Sequence, residues 1–174
     1  MQPTPGKNFL FVTGILYIVF GGLAVLSAFM ALFAFALIAA IEPIPFSTFF
    51  VFQVILSLAM AAYQLYIGIV GIKYRTNFDK APTLRTLGII DIILAVLLPI
   101  IVVASIMSVL FGQFWWHDDF FIMFGPLMFM SAIIGLVFRL PLPILYIIGA
   151  QKNLAAHRNQ VLEQISRGGT LPPV

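Results

Sequence analysis

The chain contains no cysteine, which excludes disulfides, thiolate metal centres and cysteine nucleophiles together. Charge is almost as scarce. Charged residues fill 9% of the 174 positions, whereas a soluble domain carries about 25%. Tryptophan occurs only twice, a poor basis for a base-stacking platform. Also missing are a phosphate-binding glycine loop, a nucleophile elbow and a His-Glu-x-x-His pair. No enzyme motif is readable, and no residue pattern asks for a cofactor.

What is present is overwhelmingly apolar. Hydrophobic residues make up 62% of the chain and the mean hydropathy is +1.12. A water-soluble chain of this length has too much surface for its volume to hide so many apolar side chains. Lipid supplies the missing solvent. Residues 9–41, 46–72, 84–111 and 120–150 form four long apolar segments, each above the roughly 20 residues that cross a bilayer as a helix. None shows the alternating polarity of transmembrane strands. The expected fold is an all-α membrane protein, a four-helix transmembrane bundle of two antiparallel hairpins over residues 1–151. Residues 152–174 form a tail. At helical rise the first segment measures about 50 Å, so it tilts or projects beyond the outer surface. It is also too long for a cleaved signal peptide, whose apolar region runs about 7–15 residues.

The basic residues set the orientation. Lys7, Lys73, Arg75, Lys80, Arg85, Lys152, Arg158 and Arg167 flank one side, and the first and third connections contain no Lys or Arg. The positive-inside rule then puts both termini and the middle loop in the cytoplasm of a multi-pass protein of the plasma membrane. The net charge of +3 thus serves orientation and contact with anionic lipid heads, and no nucleic-acid partner is expected.

In the tail, Leu154, Val161, Leu162 and Ile165 recur at helical spacing. They predict a short amphipathic cytoplasmic helix ended by Gly168-Gly169, which either continues the last span along the lipid heads or docks a partner. The remaining Thr-Leu-Pro-Pro-Val is expected to be disordered.

Gly14-Ile15-Leu16-Tyr17-Ile18 resembles Gly88-Ile89-Ile90-Asp91-Ile92, and Gly71 and Gly149 each precede a basic segment. Each half would be an in-out-in hairpin, so a duplication would be parallel, with its axis along the membrane normal. Shared apolar composition is the competing explanation for this weak repeat.

Helices associate in lipid through small residues and shared hydrogen bonds. Four stripes meet that description: Tyr17, Gly21, Ala24, Ala28 and Ala31; Ser57, Ala61, Gln64, Gly68 and Gly71; Gly88, Asp91, Ala95, Val102 and Ser105; and Ala132, Gly135, Arg139, Tyr146 and Gly149. Steps of three and four hold each stripe on one helix face, the seam of a left-handed bundle. The same faces point to partners, either a second copy of the chain or another membrane protein.

Two ionisable residues fall inside the spans, Asp91 and Arg139, both on these stripes. Asp91 sits about 10 Å and Arg139 about 16 Å from the cytoplasmic edge at helical rise, with Gln64 and Tyr17 at comparable depth. Tyr17, Gln64, Asp91 and Arg139 therefore form the candidate binding layer. A charge at membrane depth costs at least about 2.5–3.5 kcal/mol and pairs or lines a pathway. One reading is an Asp91–Arg139 ion pair that fixes helix register, with Gln64 and Tyr17 satisfying its spare groups. The other is an anion or lipid-head site at Arg139, or a proton relay through Asp91. In so small a chain the ion pair is slightly favoured. Side chains lean toward their helix N-terminus, however, and a separation of Asp91 from Arg139 on that account would raise the weight of the second reading.

Pro141 and Pro143 should kink or break the last helix beside Arg139, and Pro99 should bend the third. Such a break opens a site in some transporters and is also common in inert membrane helices. His117, Asp118 and Asp119 lack the spacing of metal ligands. Asp119 reads as the N-cap of the last helix, and no metal site is expected.

The leading functional expectation is a non-enzymatic accessory, assembly or self-associating membrane subunit. The rival is a small oligomeric transporter or channel using Asp91 and Arg139. A weaker third reading is an intramembrane lipid-modifying enzyme.

Overall fold

The computed structural model describes residues 4–41, 47–113, 130, 133, 134, 137 and 139–167. Four long helices dominate it: α1 (Lys7–Ile41), α2 (Ser47–Lys73), α3 (Ala81–Gln113) and α4 (Pro141–Ser166). No strand occurs among the described residues. Within the first three, Lys7–Leu37, Phe50–Lys73 and Phe78–Ala104 are each long and apolar enough to cross a membrane. The connection between the first two expected spans, residues 42–45, lies outside the described residues. So do Trp115, Trp116, His117, Asp118 and Asp119, along with most of the first half of the expected fourth span.

The connection between α2 and α3 is tighter than the sequence suggested. Asn77 accepts the Asp79 amide on its Oδ1 at 2.9 Å, which starts a single 3-10 turn (Phe78–Lys80) that leads directly into α3. Pro82 falls in the first helical turn, where its missing N–H costs nothing. The helix therefore begins at Ala81 rather than at Leu84.

Each helix packs on its hairpin partner and on one further neighbour, giving the cyclic order α1, α2, α3, α4. Helices α1 and α3 are thus diagonal, as are α2 and α4. The first hairpin is antiparallel, with Gly14 against Gly68 and Gly21 against Ala61 and Leu65. A Cβ on Gly14 would lie 2.7 Å from Ile72 Cγ1 and 2.9 Å from the Gly68 carbonyl. A Cβ on Gly68 would lie 2.7 Å from the Gly14 carbonyl. Backbones meet here, as small-residue packing in lipid requires. Toward the other end of the hairpin, Phe35 and Phe50 stack with centroids 4.2 Å apart.

The stripes largely face inward. Tyr17, Gly21, Ala28, Ala61, Gly68, Gly71, Gly88, Asp91, Ala95, Tyr146 and Gly149 are buried. Ser57 is exposed and turns its hydroxyl to its own helix, donating to the Gln53 carbonyl. A serine can satisfy itself in this way, so its polarity gave no guide to direction. Ser105, Ala132 and Gly135 lie outside the described side chains. The tightly closed part of the bundle is built from Leu10, Tyr17, Ile67, Leu84, Tyr146 and Ala150.

Asn153 gathers three segments at that end. Its Oδ1 accepts the Gly6 amide at 2.8 Å, and its Nδ2 donates to the Arg75 carbonyl at 3.0 Å. The start of α1, the α2–α3 loop and α4 therefore share one end of the bundle. Lys152 lies over the Phe9 ring at 4.2 Å and Arg75 over the Phe11 ring at 4.6 Å, which holds two of the end's cations against it. Helix α4 passes residues 151–152 without interruption and continues to Ser166, so the tail helix is the extension of the last helix.

Candidate functional site

The inner face of α1 brings Tyr17 beside Asp91, and both side chains are only 1% exposed. The Tyr17 hydroxyl donates to Asp91 Oδ2 at 2.5 Å, a bond that spans the bundle from α1 to its diagonal helix α3. A second tyrosine makes the other diagonal crossing. The Tyr146 hydroxyl, from α4, donates to the Ile67 carbonyl of α2 at 3.4 Å. The two rings meet edge to face, with centroids 5.8 Å apart and planes at 86°. Tyr63 adds a third link by donating to the Leu87 carbonyl at 3.1 Å.

Glycines make room for this knot. A Cβ at Gly71 would come within 2.6 Å of Tyr146 Cε2, and one at Gly88 within 2.6 Å of Ile147 Cγ1 and 3.3 Å of Tyr146 Cδ1. The stripes thus do more than let helices approach. They leave the slot into which Tyr146 fits.

Arg139 lies just ahead of α4, separated from it by Leu140, whose backbone is right-handed helical. Leu140 forms a turn and serves as N-cap of α4 without any side-chain cap bond, and Pro141 and Pro143 occupy the first helical turn. Helix α3, by contrast, runs through Pro99 without interruption. Among the described helical residues, Met130, Ile133, Ile134 and Val137 are all exposed. Arg139 Nε and Nη2 are buried and have no hydrogen-bond partner. Asp91 Oδ1 is likewise buried and unpartnered.

The expected Asp91–Arg139 ion pair does not form. Among the described residues the salt bridge present is the exposed Arg167–Glu163 pair. The physical reason for the separation is direction: Asp91 leans toward the Asn153 end and Arg139 away from it, each toward its own helix N-terminus. Asp91 takes Tyr17 as partner instead. Gln64 is half-buried and makes no hydrogen bond to Tyr17, Asp91 or Arg139. Its neighbour Tyr63 supplies the α2 contact to α3.

Sequence reasoning placed Tyr17, Asp91 and Arg139 on inward faces and missed Tyr63 and Asn153. It put Tyr146 on a stripe without giving it a role. Asn153 continues the spacing Tyr146, Gly149, Asn153 along one face, a signal masked by the polar tail around it. Gln53 Nε2, on α2, is a further buried donor without partner.

Chemically, the layer holds an acceptor and a two-pronged donor that are both unfilled. Nε and Nη2 form the side-on edge of the guanidinium, the edge that takes a carboxylate or phosphate by two parallel hydrogen bonds. No group of three or more metal-ligating residues occurs among the described residues. The chain matches no protein-family model, no curated protein and no solved structure.

Proposed function

We propose that the protein is a non-enzymatic, multi-pass membrane protein that binds a small polar solute inside its helical bundle, as a carrier or channel subunit does. Both ends of the chain lie on the cytoplasmic side in this reading. The observation that carries it is the set of buried polar atoms without a hydrogen-bond partner, Asp91 Oδ1 and the Arg139 fork. An ionised group left unsatisfied at membrane depth is expensive, and such groups mark substrate or ion pathways.

The test is a thermal-shift screen of the purified protein in nanodiscs against amino acids, carboxylates, amines, sugars and phosphates. A stabilising solute should lose its effect in Arg139→Gln and should be carried, or bound, by the protein in liposomes. Absence of any Arg139-dependent shift would refute solute binding.

A second reading, an accessory or self-associating subunit, draws on the broad apolar surface. Phe29, Met30 and Phe33 on α1 and Ile55 on α2 are all more than half exposed. Self-association predicts a cross-linked dimer in native membranes whose yield is unchanged by Arg139→Gln.

A further inference from the structure

We propose that the ligand of this site is a small zwitterion, an α-amino acid with an uncharged apolar side chain, with its carboxylate on the Arg139 fork and its ammonium on Asp91 Oδ1. This rests on the solute-binding reading above and specifies its ligand.

The argument begins from what each unfilled group demands. The Arg139 fork offers two donors, Nε and Nη2, and is complementary to a bidentate oxyanion. Asp91 Oδ1 is an acceptor, and its partner must carry a proton. Asp91 Oδ2 is already taken by the Tyr17 hydroxyl. That bond fixes the carboxylate in place, which leaves Oδ1 as its free acceptor. A simple anion would satisfy Arg139 and leave Asp91 orphaned. A simple cation would do the reverse. A molecule with both charges satisfies the two groups at once and adds no net charge to the membrane interior, where each uncompensated charge is costly.

The two groups are not in salt-bridge contact, and they belong to α3 and to the residues just ahead of α4, helices that pack on each other. The surroundings of Asp91 set the character of the remaining part of the ligand. Tyr17 and Ala95 are buried beside it on facing or adjacent turns, and Tyr146 closes against Tyr17. Apolar and aromatic walls with two placed polar groups are what a small-molecule site requires.

The experiment compares leucine with its two half-molecules, isocaproate and isoamylamine, on the wild-type protein in nanodiscs by thermal shift and competition. Leucine should bind at least about tenfold more tightly than either half, since each half leaves one charged group unpaired. In Arg139→Gln, leucine and isocaproate should both lose binding. In Asp91→Asn, leucine should fall to the level of isocaproate. If isocaproate equals leucine on the wild-type protein, the zwitterion is refuted while solute binding at Arg139 stands. If leucine produces no shift, the zwitterion is also refuted, and the broader solute screen decides the parent reading independently. The wild-type comparison needs no variant, so it remains decisive if either substitution prevents folding.

Discussion

At the scale of single residues, the two diagonal tyrosines are not equivalent. Tyr17 donates to a carboxylate and Tyr146 to a carbonyl, and the second bond is longer at 3.4 Å. Hydrogen bonds to charged groups contribute about 1.5–3 kcal/mol, neutral ones about 0.5–1.5, and side-chain bonds within membranes average nearer about 0.6. Tyr17→Phe also leaves Asp91 with no partner at all. It should therefore lower stability by about 1.5–3 kcal/mol, and Tyr146→Phe by about 0.5–1 kcal/mol, measured by reversible unfolding in bicelles. Equal costs would mean that the Asp91 bond carries no special weight. Asp91 and Arg139 were legible in the sequence because a charge within an apolar run has to face protein. Their separation was legible only in part, through the lean of each side chain toward its own helix N-terminus, because the axial offset of two helices is not encoded by the spacing within either. Asn153 was hidden for the opposite reason: in a polar tail, one more polar residue carries no signal.

At the scale of the helices, close approach is confined to particular glycines. Gly14 and Gly68 bring α1 and α2 together, whereas a Cβ on Gly22 would meet nothing within 4 Å. Gly14→Ala should force the hairpin apart against the Gly68 carbonyl, at a cost of about 1–3 kcal/mol typical of overpacking. Gly22→Ala should be neutral or stabilising by up to about 1 kcal/mol, through helix propensity alone. Unfolding of the two variants side by side separates packing from propensity; matching destabilisation would remove the hairpin seam from the account. The end clamp makes a separate prediction. Asn153 holds Gly6 and the Arg75 carbonyl, and a Cβ on Gly6 would lie 1.9 Å from the Gly149 carbonyl. Asn153→Ala should increase hydrogen exchange at residues 6–10 and 74–77 and leave the amides around Asp91 protected. Uniform deprotection would instead mean that the clamp supports the whole bundle. The stripes were legible as faces at this scale, but the start of α3 was not. Its onset at Ala81 depends on the Asn77 turn and on a proline that is harmless in a first turn.

At the scale of the whole molecule, the weak repeat acquires a geometric counterpart. Gly14 and Gly88, Tyr17 and Asp91, and Ile72 and Tyr146 are all 74 positions apart. Gly14 seats against Ile72 of its own hairpin, and Gly88 against Tyr146 of the other. Tyr17 and Asp91, at matching positions on diagonal helices, bond to each other. A pseudo-two-fold axis along the bundle would bring matching positions together at its centre in this way, as parallel repeats do. Such an axis would also put the two hairpins' ends at one end of the bundle, where Gly6, Arg75 and Asn153 meet. That end also carries Lys7, Lys73, Lys80, Arg85, Lys152 and Arg158, the bias on which the proposed cytoplasmic orientation rests. The absence of native cysteine makes the orientation directly measurable. Thr4→Cys, Thr76→Cys and Gln164→Cys each introduce a single thiol. All three should resist a membrane-impermeant maleimide on intact cells and react after permeabilisation. Labelling of all three from outside would invert the bundle and leave its fold intact. Labelling of only one or two would contradict the shared end itself, and with it the Asn153 clamp and the symmetry that the end expresses.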